Sequence, residues 1–122
     1  MRNDKENVIV NKTIEFSLAI INYCEDLERS RKYVIAKQLM RSATSIGANV
    51  FEGQNAESKV DFIHKMKIAA KEASETAYWL TLCEKSDGYK FERKLREDLE
   101  EITRILSKII STSKGRLPGF VL

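Results

Sequence analysis

The chain has 122 residues, 43% hydrophobic, 8% aromatic and 32% charged, which fits a single domain over residues 1–122 and excludes a two-domain enzyme. Five glycines and one proline leave few places to interrupt long regular elements, which disfavours an all-β fold with its many turns. Lys and Arg total 21 against 18 Asp and Glu, and a net charge of +3 does not by itself imply a polyanionic partner, so the distribution of charge carries more than its sum.

Four segments carry a helical period. In the first, over about 7–27, one apolar row is Val10, Ile14, Ser17, Ile21 and Cys24, and a second is Ile9, Phe16, Ile20, Tyr23 and Leu27. A helix apolar over more than one stripe needs more than one partner, so Phe16, Ile20, Tyr23 and Leu27 are expected to meet another subunit. The second segment, about 32–52, places Ile35, Leu39, Ala43, Ile46 and Val50 on one face, and Gly53 stands where a left-handed cap is expected.

The third segment, about 58–85, opens with Ser58 and Asp61, a capping-box variant that satisfies free amide donors. Its seam runs through Phe62, Met66, Ala69, Ala73, Thr76 and Leu80, and a helix of this span is about 42 Å long, which suits a bundle. Asp87-Gly88 ends it. The fourth segment, about 89–112, buries Phe91, Leu95, Leu99, Ile102, Leu106 and Ile109, and Gly115 followed by Pro118 stops it. Residues 117–122, LPGFVL, form an apolar tail without period. Long helices on short links pack antiparallel, so the expected fold is all-α, an up-down-up-down four-helix bundle. Ala69, Ala70, Ala73 and Ala77, with Gly47 and Ala48, would let helices approach closely.

Candidates for catalysis are thin. His64 is the only histidine and is expected on a solvated surface. Cys24 and Cys83 lie in apolar surroundings and read as reduced, buried thiols of a cytoplasmic protein. A di-iron bundle needs Glu-x-x-His pairs on two helices and zinc needs more Cys and His than are present, while the scattered glycines form no phosphate loop. The expectation is a non-enzymatic protein with no catalytic, cofactor or metal residues. The N-terminal MRNDKENVIV carries acids and lacks a signal-peptide core, and no stretch approaches the ~20 apolar residues of a membrane span.

Two polar patterns remain. Ser42, Ser45, Asn49 and Glu52 stack into a stripe on the second helix, and Glu72, Ser74, Glu75 and Thr76 stand mid-way along the third. Facing each other, Asn49 and Glu52 would hydrogen-bond across the bundle and fix register, since an unpaired buried polar group costs about 1–3 kcal/mol. A small-ligand site at Asn49, Glu52 and Glu75 is the competing reading. Charge gives the second pattern. From Arg29 to Phe51 there are five basic residues, Arg29, Arg31, Lys32, Lys37 and Arg41, and no acid; after Glu101 the chain is again only basic. Arg31, Lys32, Lys37 and Arg41 with Arg104 and Lys108 could form a basic face contacting RNA or DNA phosphates, with Tyr33 the main candidate for stacking. The alternative is a protein scaffold with no nucleic-acid contact, using its faces and the apolar tail.

The run 38–53, QLMRSATSIGANVFEG, with Phe62, Ala69, Ser74, Glu75 and Tyr78-Trp79-Leu80, resembles the four-helix-bundle family encoded in intervening sequences of bacterial large-subunit ribosomal RNA genes. The most specific mark is Arg-Ser-x-x-Ser-x-x-x-Asn-x-x-Glu-Gly, here Arg41, Ser42, Ser45, Asn49, Glu52 and Gly53. The resemblance implies a bundle that assembles as a ring-shaped homopentamer and that has no established enzymatic activity. It also implies kinship with a basic accessory bundle of retroelements that works with nucleic acid.

Overall fold

The structure, a computed structural model, describes residues 7–115. They form four helices, α1 (Val8–Arg29), α2 (Tyr33–Gly53), α3 (Lys59–Lys85) and α4 (Arg93–Gly115), with no strand among the described residues. The N-terminal six residues and the tail 116–122, including Pro118 and the apolar LPGFVL segment, lie outside that description.

Local chemistry sets the ends. Asn7 Oδ1 accepts from the Val10 amide, while its Nδ2 donates to Gln54 Oε1 at 2.6 Å, pinning the start of α1 to the end of α2. The Ser58 hydroxyl accepts from the Asp61 amide at 3.0 Å, as the sequence predicts. Helix α1 closes in a Schellman motif: Lys32 N–H reaches Leu27 O and Arg31 N–H reaches Glu28 O, with Arg31 at φ 63° in the left-handed place usually given to glycine.

Gly53 is not the left-handed cap expected of it. It is the last residue of α2, and the chain continues through right-handed Gln54. Its role is steric, since a Cβ there would stand 2.6 Å from Met66 Cε and 3.3 Å from Lys65 Cβ, so glycine lets Met66 and the start of α3 pack closely without displacing that side chain. The left-handed glycine is Gly88, at φ 82° after α3. Helix α4 also starts later than its periodicity suggests. Residues 89–92 precede it, with Phe91 packed on the core and the Lys90 carbonyl accepting from the Tyr23 hydroxyl.

Each helix packs on its chain neighbours and α4 closes on α1, while the diagonal pairs α1/α3 and α2/α4 come no closer than 8 Å between Cα atoms. All four packed pairs are antiparallel. Asn7 lies beside Gln54, Glu52 beside Lys65, Thr81 beside Arg96, and Lys12 beside Glu101. This is the expected up-down-up-down order.

The core overturns one expectation. Phe16, Ile20, Tyr23 and Leu27 are buried within the protomer, as are Val10 and Cys24 of the other row. A helix at the corner of a four-helix square touches two neighbours, so its buried arc takes in both rows. The large apolar side chains that α1 leaves outside are Val8, Ile14 and Leu18, 56%, 49% and 57% exposed. Gly47 sets the α1/α2 approach: a Cβ there would lie 3.2 Å from Thr13 Cβ. No helix of the described residues is long and apolar enough to cross a membrane.

Candidate functional site

The motif residues of α2 form the seam with α3, in a pairing that differs from the expected one. Ser42 and Thr76 are fully buried with their hydroxyls 2.9 Å apart, and the Thr76 hydroxyl also lies 2.8 Å from the Glu72 carbonyl. Outside them Arg41 reaches two carboxylates, Glu72 at 3.3 Å and Glu75 more closely, and Trp79 Nε1 donates to Glu75 at 3.0 Å. Those bonds, the indole first and then the guanidinium, hold the Glu75 carboxyl below its ordinary range.

Asn49 and Glu52 do not face Ser74 or Glu75. Asn49 Nδ2 donates to its own helix at Ser45 O, 2.9 Å, Ser45 donates to Arg41 O, 2.7 Å, and Glu52 pairs with Lys65 at 3.0 Å. A register that sets Ser42 against Thr76 and Glu52 against Lys65 leaves Asn49 between those points, beyond reach of Glu75. Ser74 turns outward and is exposed. The residues expected to form a ligand site are thus not brought together.

The basic residues separate too. Arg31 occupies the cap of α1, Lys32 sits 5.0 Å from the centre of the Tyr89 ring, Lys37 is exposed, and Arg41 is engaged with Glu72 and Glu75. Arg104 and Lys108 are exposed on α4, the corner diagonal to α2. Within one protomer α2 and α4 therefore share no basic face. Sequence reasoning missed a third acid-free stretch, residues 62–71 of α3, which the antiparallel packing lays beside the acid-free end of α4. Its signal is the run FIHKMKIAAK.

A second surface feature lies over α1 and α2. Tyr33, Met40, Thr44, Gly47 and Phe51 follow a helical stripe of α2 on the side that meets α1, and Ile14, Leu18 and Ile21 form the outer row of α1 next to Thr13 and Ser17, which face Gly47. From Met40 to Phe51 and from Ile14 to Ile21 the two rows carry no charge, while exposed Lys37, between Tyr33 and Met40, and exposed Glu25, one turn after Ile21, interrupt them toward the end of α1. Tyr33, Phe51, Ile14 and Leu18 are each about half exposed.

The buried polar groups offer no nucleophile. Burial pushes the Cys24 thiol up to about 12 and raises that of Cys83, so both stay protonated and unreactive at neutral pH. The two sit on diagonal helices whose Cα atoms come no closer than 8 Å, too far for a disulfide. His64 is exposed, and no cluster of three or more potential metal ligands stands together among the described residues.

The model of the 23S rRNA-intervening sequence protein family matches residues 5–108. The chain belongs to that family. The Arg41 to Gly53 signature of this intervening-sequence protein is accordingly the α2/α3 seam just described, in which Ser42 and Gly53 admit α3 and Arg41 ties it. Its four-helix architecture is similar to the crystal structure of a protein of unknown function from the S23 ribosomal protein family of Bacteroides thetaiotaomicron VPI-5482. The two share 41% identity and a TM-score of 0.79, over 84% of this chain and 97% of that one. No curated protein matches the chain.

Proposed function

We propose that this intervening-sequence protein is a non-enzymatic, self-associating bundle whose subunits meet through the outer face of α1 and α2. The observation behind this reading is the pair of mainly apolar rows carrying Ile14, Leu18, Tyr33 and Phe51, each about half exposed, with charge only at Lys37 and Glu25 on a chain with 32% charged residues. Each Å² of apolar surface removed from water favours association by ~25 cal/mol, and a contiguous patch of this kind marks an interaction surface. A ring of identical subunits, such as the homopentamer that the family resemblance implies, would cover the patch in every copy.

Light scattering and sedimentation of the purified chain test the reading. The expected result is a defined oligomer at micromolar concentration that Leu18→Glu converts to folded monomer. A monomeric wild-type chain would overturn it and favour a scaffold whose apolar face takes a different protein. The nucleic-acid reading in its first form, a shared α2/α4 face built on Lys37, Arg41, Arg104 and Lys108, loses its support in the single protomer because those helices lie diagonally and Arg41 is already paired.

A further inference from the structure

Two rows of side chains run along the outer face of the α3/α4 pair. On α3, Lys67, Lys71, Ser74 and Tyr78 recur at spacings of four, three and four, and all are exposed or partly so. On α4, Arg104, Ser107, Ser111 and Lys114 recur at three, four and three, with the exposed Lys108 beside them. Such spacings keep each set on one face of its helix.

The cations of these rows lack direct ion pairs among the described residues, although Lys12 and, less strongly, the nearby Arg104 hold the Glu101 carboxyl below its ordinary range. Residues 62–71 and 102–115 contain no Asp or Glu. None of Lys67, Lys71, Arg104, Lys108 and Lys114 forms an ion pair with a described carboxylate, whereas Arg41, Lys65, Lys94 and Arg96 all do. Glu72 and Glu75, the next acids of α3, turn to Arg41 on the α2 side, and Glu100 bounds the α4 row one turn before Arg104. Packing even sets like charges against each other: Lys67 and Lys114 come close enough that the neighbouring ammonium lowers the Lys67 pKa from its ordinary 10.5. A bound anion would relieve that repulsion.

We propose that the α3/α4 face binds single-stranded nucleic acid, with Lys67, Lys71, Arg104 and Lys114 contacting phosphates and Tyr78 stacking on an unpaired base. The face is about 16 Å long by helical rise, and two helices pack 8–10 Å apart, which makes a track and not a point site. Ser74, Ser107 and Ser111 add hydroxyls that donate to phosphate oxygens. Tyr78 is the one large apolar side chain exposed between residues 62 and 115, so the face pairs cations with a single aromatic platform. An anionic membrane would instead favour several exposed aliphatic or aromatic side chains beside the lysines. No base edge is read by such a set, so binding is sequence-independent.

The test uses the full chain, fluorescently labelled oligouridylate, duplex DNA of matching length and phosphatidylserine vesicles, with anisotropy read across a salt series. The double variant Lys67→Glu, Lys114→Glu is expected to weaken oligouridylate binding by roughly tenfold or more and to flatten the logarithmic salt slope by about 0.7 for each phosphate that the protein no longer neutralises. Tyr78→Ala is expected to weaken the single strand by roughly fivefold or more and to leave the duplex unchanged. Lys37→Glu, on the α1/α2 side of the bundle, should leave affinity intact when compared at the same oligomeric state. Equal drops in affinity from Lys37→Glu and from the α3/α4 double variant would overturn the assignment of the face. Binding to vesicles without binding to oligouridylate would overturn the assignment of the partner. Circular dichroism and light scattering on the same samples separate these outcomes from failure to fold or to assemble, and Lys67→Gln with Lys114→Gln repeats the experiment without introducing acids.

Discussion

The outer face of α1 and α2 and the outer face of α3 and α4 are built by the same architecture and end with opposite chemistry. Both are seams between antiparallel helices joined by short connections. Over the first, Gly47 lets the α2 backbone close on Thr13 of α1, and the flanking rows carry Ile14, Leu18, Tyr33 and Phe51, with charge only at Lys37 and Glu25. Over the second, Arg96 Nη2 donates to Thr81 at 2.9 Å, and the flanking rows carry lysines, arginine and serines. Packing requires only the inner arc of each helix, so the outer arcs are free to specialise. One face is suited to another protein surface and the other to a charged partner.

Placing acids on each face in turn is the strongest way to break this contrast. Ile14→Glu with Leu18→Glu is expected to weaken self-association by more than about 2 kcal/mol, as removal of central apolar anchors does, while Lys67→Glu with Lys114→Glu leaves the oligomer intact. Analytical ultracentrifugation of both variants reads the difference. If the α3/α4 double variant dissociates and the α1 double variant does not, the two faces have been assigned the wrong way round.

The tight α1/α2 approach sharpens the comparison. Gly47→Val places methyls against Thr13 and should cost about 1–3 kcal/mol by overpacking, seen as a lower melting temperature. The polar seam between the two halves gives an effect of similar size with a different signature. Thr76→Val alone leaves the buried Ser42 hydroxyl without its cross-helix partner and should cost about 1–3 kcal/mol, whereas adding Ser42→Ala should recover part of that stability. Strict additivity in the double-mutant cycle would show that the two hydroxyls are not coupled.

The smallest expected effect is that of pH on the same seam. The folded Glu75 carboxyl has its pKa lowered from the ordinary 4.5 by Trp79 and Arg41. Its contribution is therefore fully present above pH 4.5 and disappears as pH falls below that value through the lower folded pKa. Because the group is solvent-accessible, the change is small. Denaturation midpoints measured on both sides of that window should fall less for Glu75→Gln than for wild type as the solution is acidified.

Much of the bundle is legible in the sequence because its signals are local. The seams Leu39, Ala43, Ile46, Val50 and Met66, Ala69, Ala73, Thr76, Leu80 follow from helical period alone, and all are buried. The Ser58 cap and the break at Gly88 likewise depend only on nearby backbone geometry. Gly53 misleads a local reading because its absent side chain answers to Met66 on another helix and not to its own turn. Phe16, Ile20, Tyr23 and Leu27 look like surplus apolar surface because one-dimensional patterning cannot count how many neighbours a helix has.

Sequence by itself determined four helices, their antiparallel order and the polar motif at the centre of α2, since periodicity, caps and short links act within a few residues of one another. Tertiary structure decided which outer arcs stand together. Whether the basic stretch of α4 joins that of α2 or that of α3 depends on the order of helices around the square, and whether Arg41 meets Glu75 or solvent depends on the register of two helices at residues 34 positions apart in the chain. Such pairings are set by the packing of the whole core, a sum over interactions distant in sequence, and no local pattern encodes them.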